Sequence, residues 1–289
     1  MLDHKIDFSV IITATNANPN GDPLNGNRPR ETFEGCGEIS DVCIKRKIRN
    51  RLQDMGEKIF VQSDDRCDDG CGSLKLRAES NENLKKLGKK PDRNEYIKTA
   101  CSEWIDVRSF GQVFAFSNGD AKGGGVSIPI RGPVSIQTAI SVDPIEISTL
   151  KISSSVNNKK DIFTDGLDKN RLGDKHRVAF GLYVIHGSIN CQLAEKTGFS
   201  DEDAAKIKEA LCTLFENDAS SARPEGSMEV CRVYWWEHDC KTPKVSSAKI
   251  HRALHITLKD GVSAPHSFGD YNITLAEIEG CKPEIIDLM

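Results

Sequence analysis

Apolar residues in this chain cluster into runs whose spacing predicts its elements. The segment IDFSVIITAT (6–15) is β-branched and nearly continuous, the pattern of a buried strand. The Asn-, Pro- and Gly-rich stretch ATNANPNGDPLNGNRP (14–29) ends it. Ile44, Ile48, Leu52 and Met55 then recur at helical spacing in DVCIKRKIRNRLQDMG. With Ser40 as N-cap, Asp41 in the first turn and Gly56 as C-cap, they predict a helix over about 41–55.

Residues 57–105 are polar and offer few core positions, so they read as an elaboration on the core. Within them, ESNENLKKLGKKPDRNEYIKTACSEWI predicts a helical hairpin. DVRSFGQVFAF (106–116) is strand-like, NGDAKGGG (118–125) a glycine-rich turn, and 126–147 extended chain broken at Gly132–Pro133. Residues 148–175 are short of large apolar side chains and rich in turn signals, as in a projecting hairpin or loop. HRVAFGLYVIHGSINCQL (176–193) predicts a long strand. SDEDAAKIKEALCTLFEND (200–218) predicts a second helix, capped by Ser200, with Ala204, Ile207, Leu211, Leu214 and Phe215 on one face. MEVCRVYWWEH (228–238) and ALHITL (253–258) supply further strands. No internal repeat is visible. This order predicts an α+β chain whose ferredoxin-like core is interrupted by insertions.

Composition adds boundaries. The 289 residues, 38% apolar and 28% charged, suit a soluble globular chain. No apolar run approaches the ~20 residues of a membrane span, and the opening MLDHKIDF is not a signal peptide. A cytoplasmic protein with no membrane partner is expected. The formal net charge of −4 means that nucleic-acid binding must rest on local clusters. The ten cysteines lack a disulfide framework and read as free thiols. CDDGC (67–71) resembles half a zinc site, but with no second half at usable spacing the expectation is an acidic loop. No metal or cofactor is expected.

The sharpest chemical signal lies in the first helix. Lys45, Arg46, Lys47, Arg49 and Arg51 place five cations within seven residues. Taking Ile44, Ile48 and Leu52 as buried, Lys45 and Arg49 share a flank, at about 100° and 140° from Ile44. Arg46 points further towards solvent, and Lys47 and Arg51 fall on the opposite flank. Two cations one turn apart lie about 6 Å from each other, close to a phosphate-to-phosphate step. The nearby acids Asp41 and Asp54 are too few to balance the cluster, which favours a polyanion site. In ENDASSARPEG (216–226), Ser220, Ser221 and Arg223 suit a phosphate or strand-end contact, or form a routine capped loop. The glycines at 123–125 either cradle a phosphate or make a flexible turn. RSFGQVFA (108–115) partly matches the aromatic strand of RNA-recognition domains, yet its aromatics are expected to pack. The seven His residues are dispersed, and no catalytic motif occurs. Asp22 is the one exposed carboxylate expected near the basic helix. It reads as a turn former in NGDP, with metal binding in a nuclease as the alternative.

Taken together, NANPNGDP, DVCIKRKIRN, DVRSFGQVFAF, IRGPVSIQTAIS and FENDASSAR resemble the backbone subunit of type I-C CRISPR surveillance complexes, the Csd branch of the Cas-seven group within the RAMP superfamily. The resemblance is collinear from about residue 5 to about residue 240. It implies one domain over 1–289, a modified RRM-like palm with inserted fingers (placed at about 57–125) and thumb (about 143–176). It further implies a non-catalytic subunit that polymerises along a guide RNA and presents it for pairing with a target DNA strand. Its partners would be copies of itself and the other Cascade subunits: a guide-processing Cas-five-type subunit, a large one and a small one. Type III relatives cleave target RNA with an Asp in an early loop, the stretch comparable to Asp22, so a metal-dependent ribonuclease is the alternative. In this setting Asn16, Asn18, Asn20, Arg28 and Arg30 become a wall of the guide-RNA groove. Lys45, Arg46, Arg49, Ser220, Ser221 and Arg223 complete the expected RNA contacts, and no catalytic residue is expected.

Overall fold

The fold opens with a twelve-residue strand, β1 (Ile6–Ala17), whose register with its neighbours is broken at Ile11/Ile12 and at Asn16. The computed structural model describes residues 1–88, 92–116, 126–153 and 172–289. After β1 come β2 (Gly21–Asp22), β3 (Arg28–Pro29), β4 (Cys36–Ile39) and α1 (Asp41–Asp54). A second group holds α2 (Leu74–Ser80), α3 (Glu82–Lys86), α4 (Arg93–Glu103), α5 (Ile105–Phe110), β5 (Gly111–Phe116) and β6 (Val126–Arg131). The chain returns through β7 (Val134–Ile136), β8 (Ala139–Pro144), β9 (Ile147–Ser153), β10 (Leu172–Ile189), α6 (Cys191–Thr197), α7 (Asp201–Cys212) and β11 (Met228–Glu237). It ends with α8 (Ser247–Arg252), β12 (Leu254–Leu258), β13 (Tyr271–Leu275) and β14 (Glu284–Asp287).

The principal sheet runs β14–β11–β1–β10–β8–β4, with β7 and β9 also paired to β10. Every one of these pairings is antiparallel. Strand β1 lies at its centre with both faces buried, one apolar and the other carrying Asp7, Ser9 and Thr13 beside Ile11. Ile6, Phe8, Val10, Ile12 and Ala14 point to one side, where Ile44, Ile48 and Leu52 of α1 and Ala204, Ile207 and Leu211 of α7 complete the main core. Ile11 points the other way, into a cluster with Phe180, Leu182, Tyr234, Trp236, Ile250 and Tyr271. That second face is covered by α8 and the β12–β13 hairpin, a layer that the sequence pattern did not reveal.

Helix α1 follows its expected limits. Ser40 Oγ accepts the Cys43 N–H, and Gly56, at φ 87°, donates its N–H to the Gln53 carbonyl as the chain leaves the helix. The helix expected from Ser200 also forms, with Ser200 and Asp203 making a reciprocal capping box.

Three expectations are corrected. Residues 105–110 form α5, and the strand expected over 106–116 starts only at Gly111. Gly111, at φ 80°, ends the helix there, and a Cβ at this position would lie 2.2 Å from the Ile130 carbonyl oxygen. The strand expected over 176–193 stops at Ile189, where Asn190 Oδ1 accepts the Leu193 N–H and caps α6. The elaboration is also far from coreless. Phe60, Leu84, Tyr96, Ala100, Trp104, Val107, Phe114, Ile128 and Ile130 build a separate apolar cluster around the α4 helix and the β5–β6 hairpin. Its helical hairpin is present as α3 and α4, and Phe114 packs, as expected of the aromatic strand, against Phe60 and Tyr96. The turn of that hairpin, the glycine-rich turn at 118–125 and most of 148–175 lie outside the described residues. The flanks of the last stretch pair as β9 and the start of β10, Ser153 opposite Leu172.

A layer of histidines lies between the sheet and its C-terminal cover. His186 contacts Ser9 Oγ through Nδ1 at 2.7 Å and stacks on His251, with ring centroids 4.6 Å apart. His251 Nε2 donates to the Gly187 carbonyl at 3.1 Å. His238 Nε2 meets Asp7 Oδ2 at 2.8 Å, and the Cys281 thiol meets its Nδ1. Burial, and then the neighbouring His251, push the His186 pKa down to about 4. The unfolded chain therefore takes up a proton at this site before the folded chain does. Stability is expected to be complete above about pH 6.5 and to fall by up to about 3 kcal/mol as pH drops towards 4. Urea unfolding across that range measures the slope, and His186→Asn should flatten it.

Candidate nucleic-acid interface

Three segments meet at the C-terminal end of β1. Beyond it the Asn-rich loop folds into the β2–β3 hairpin, where Asp22 pairs in register with Arg28. Asn18 ties this loop down twice. Its backbone N–H donates to the Ala222 carbonyl at 2.9 Å, and its side-chain Nδ2 donates to the Asn27 carbonyl at 2.6 Å. Asn20 Oδ1 accepts from both the backbone N–H and the hydroxyl of Ser40, which joins the loop to the start of α1. Asn16 is exposed at the strand end with φ 52°, a conformation that Asn tolerates better than most residues. The loop after α7 closes the other side, where Ser220 Oγ accepts the Arg223 N–H at 3.2 Å. The structure thus brings together Asn18, Asn20, Arg30, the start of α1, and the Ser220–Arg223 loop, which sequence reading had singled out separately.

The charges of α1 are more completely matched than local counting indicated. Lys45 pairs with Asp41 at 3.0 Å. Arg49 Nε donates to Asp106 at 3.0 Å and the guanidinium lies 4.9 Å from the Phe110 ring centroid. Lys47, with a side chain only 4% exposed, donates to Asp218. Arg51 Nε donates to Thr213 Oγ1 at 2.7 Å. Arg46, expected to point to solvent, is covered instead and donates to the Val61 carbonyl at 2.6 Å. The balance drawn from Asp41 and Asp54 is therefore corrected. Asp106 and Asp218, remote in sequence, supply the missing carboxylates, while Asp54 is taken up by Arg66. Lys47 and Asp218 were the pair that sequence reasoning missed. The available signal was modest: Lys47 sits between Ile44 and Ile48 on the helix, and Asp218 closes the apolar run of the second helix.

Asp106 is fully buried. Its two oxygens accept the N–H groups of Phe60 at 2.7 Å and Val61 at 3.0 Å besides Arg49. Asp22 has a local role: Oδ1 accepts the Leu24 N–H at 3.1 Å, capping a short turn, and Arg30 Nη2 lies 3.4 Å away. Arg30 is 36% exposed at its side chain, Arg28 34% and Arg223 26%, against 12% for Arg49, so the solvent-facing charge of the site sits mainly on the loops. Asn18 Oδ1 and Arg30 Nε are buried without a protein partner among the described residues.

The loop containing Cys67 and Cys71 is organised by a guanidinium. Arg77 donates to both oxygens of Asp69, at 2.5 and 2.9 Å, and to the carbonyls of Phe60 and Cys71. The Asp69 carboxyl is held far below the usual carboxylate range by those bonds.

A family model for CRISPR-associated protein Cas7 matches residues 4–276, and the chain belongs to that family. It is similar to a CRISPR-associated protein Cas7 of Haloferax volcanii, 27% identical over 242 residues, which are 75% of this chain and 66% of that protein. The chain thus spans about two thirds of that relative's length. It is also similar in structure to chains of a CRISPR RNA-guided surveillance complex in a pre-nicking state and of a second such complex. The TM-scores are 0.49 and 0.47, each at 14% identity, covering 83% and 90% of this chain and 78% of each of those chains.

Two substitutions separate the roles of these carboxylates. Asp106→Ala leaves Arg49 and two N–H groups without an acceptor and is expected to cost about 3–5 kcal/mol. Asp41→Ala removes only a partly exposed i,i+4 pair and is expected to cost about 0.5 kcal/mol. Chemical denaturation of both variants measures the contrast.

Proposed function

We propose that this chain is a non-catalytic, RNA-binding backbone subunit of a type I-C CRISPR surveillance complex, in the Csd branch of its family. Several copies coat one guide RNA and leave it free to pair with a target DNA strand. The observation that carries this reading is the convergence of the Asn-rich loop, the basic helix and the Ser220–Arg223 loop at one end of β1. Membership of the Cas7 family supports it independently. The site holds amide groups, hydroxyls and guanidinium groups, all of which can meet backbone phosphate and sugar oxygens whatever the base. That suits a protein that must accept any guide sequence through its backbone.

An RRM-like palm is supported by the order β11–β1–β10–β7/β8, with α1 and α7 packed together on one face. In this reading the elements around the second apolar cluster are the fingers, at about 57–125, and β9 with the start of β10 belongs to the thumb, at about 143–176. The outward-facing contacts are Asn16, Asn20, Arg28, Arg30, Lys45, Ser220, Ser221 and Arg223. Asn18, Arg46 and Arg49 shape the groove from within. The other complex subunits and the cytoplasm follow from the same assignment. Among the described residues no helix is long and apolar enough to cross a membrane.

The ribonuclease alternative draws less support. Asp22 is engaged as a turn cap and as the neighbour of Arg30, and among the described residues it belongs to no group of three potential metal ligands.

The chain purified from cells that also express a CRISPR array should carry a single guide-length RNA population with several protein copies per RNA. RNA of random length, or none, would sink the proposal. Arg28→Ala/Arg30→Ala removes two expected phosphate contacts. It should lower the slope of log affinity against log salt for single-stranded RNA by about 1.4, roughly 0.7 per contact.

A further inference from the structure

Lys47 lies inside the fold, and its ammonium sits 5.4 Å from the Phe215 ring centroid. A lysine so buried is rarely left unpaired. Burial pulls its pKa down, Asp218 raises it again, and nearby Arg223 adds to the depression. The position therefore requires an anion to keep the ammonium charged. At present that anion is the Asp218 carboxylate. Its Oδ2 accepts from Lys47 Nζ and also from Arg223 Nε at 3.2 Å, so one oxygen atom sits between an ammonium and a guanidinium. Burial pushes the pKa of the neighbouring Cys43 thiol up, and Lys47 and then Arg223 pull it down.

Asp218 and Asp106 hold their cations in different ways. Asp106 has no exposed surface and accepts two backbone N–H groups, which fix it in the core. The side-chain hydrogen bonds of Asp218 come from the two cations themselves, and its side chain is 13% exposed. It stands in a loop between Asn217, at φ 55°, and the exposed Ala219, Ser220 and Ser221. A rotation of this short side chain towards solvent vacates the oxyanion position without disturbing α1. A phosphodiester carries the same single negative charge as the carboxylate and offers more acceptor oxygens. The neighbouring Ser220 and Ser221 hydroxyls are of the type that bonds them.

We propose that Lys47 and Arg223 form a seat for one backbone phosphate, and that Asp218 occupies this seat as an internal stand-in while the chain is free of nucleic acid. Nucleic acid must displace the carboxylate, so Asp218 sets a threshold against short or isolated phosphates. The part that concerns RNA rests on the guide-RNA reading above. The part that concerns phosphate does not.

Asp218→Asn empties the seat of charge while keeping its shape. In inorganic phosphate, compared with chloride at equal ionic strength, the melting temperature of the variant should rise by roughly 2–4 °C more than that of the wild-type chain. Lys47→Met added to Asp218→Asn should abolish the difference. A phosphate response no larger than that of the wild-type chain overturns the seat. If Asp218→Asn folds poorly in chloride, recovery of the fold by phosphate supports the seat, and equal recovery in both salts overturns it. With a 20-nucleotide oligouridylate, Asp218→Asn should bind about tenfold more tightly than wild type, with a salt slope steeper by about 0.7. Unchanged or weaker binding by the folded variant overturns the displacement step. Failure of both proteins to bind the RNA removes the guide-RNA reading and leaves the phosphate melting series to decide the seat.

Discussion

Asp106 is a charged side chain with no access to water, and the fold is arranged around keeping it satisfied. A buried carboxylate without partners is costly enough that the structure must supply donors or abandon the position. The three donors come from two places: Arg49 of the central helix, and the adjacent N–H groups of Phe60 and Val61 in the segment after it. Ile105, one residue before it, packs in the main core, whereas Val107, one residue after it, packs in the second cluster. The carboxylate therefore sits at the seam between the two apolar units and fixes how the elaborated region is anchored to α1. Arg108 strengthens the seam with two bonds to Asp203 at the start of α7, at 2.9 and 2.7 Å.

This seam has a consequence for the candidate site. An arginine already committed to a buried carboxylate and stacked on Phe110 is a structural member, and its charge reaches a ligand only weakly. The more exposed charge of the site lies on Arg28, Arg30 and Arg223, which the loops present. Helix α1 works as the rigid floor beneath them. Three of its five cations pair with acids drawn from three different parts of the chain, Asp41, Asp106 and Asp218, and Arg46 and Arg51 donate to neutral oxygens. The start of the same helix also anchors Asn20, whose Oδ1 accepts from the Ser40 N–H and hydroxyl, while Asn18 is held by the Ala222 and Asn27 carbonyls.

The second face of the sheet obeys a different constraint. Tyr234 and Trp236 stack there with ring centroids 5.9 Å apart, under the cover of α8 and the β12–β13 hairpin. Three histidines, an aspartate and a cysteine fill the layer between. Burial keeps His186 neutral over Ser9, whereas Asp7 Oδ2 meets both His238 Nε2 and Lys5 Nζ, at 2.8 and 3.2 Å, so the layer combines packing with a buried charged contact. In the proposed reading, a strand of nucleic acid would approach instead at the end of β1, where the three segments meet.

Much of this was legible from local pattern. The continuous β-branched run made β1, the Ile44–Ile48–Leu52 stripe and the Ser40 cap made α1, and the capping box at Ser200 made α7, because each is decided by residues within one or two turns of each other. The Asn-rich loop and the 216–226 loop were each singled out from residue types, and only the fold joins them, through Asn18 and Ala222. Three features depended on residues far apart in sequence. Residues 105–110 are helical because Asp106 must meet Arg49, Phe60 and Val61, a demand that strand propensity in DVRSFGQVFAF cannot express. The polar stretch 57–105 owns a core because its scattered aromatics meet β5 and β6. The buried Lys47 of the basic helix is matched because Asp218, 171 positions away, folds back onto it. Local spacing fixes which face of a helix is apolar, since that is a property of 3.6 residues per turn. Which carboxylate neutralises a buried cation is decided only when the chain closes, because Coulomb attraction at contact distance depends on proximity in space and takes no account of separation along the chain.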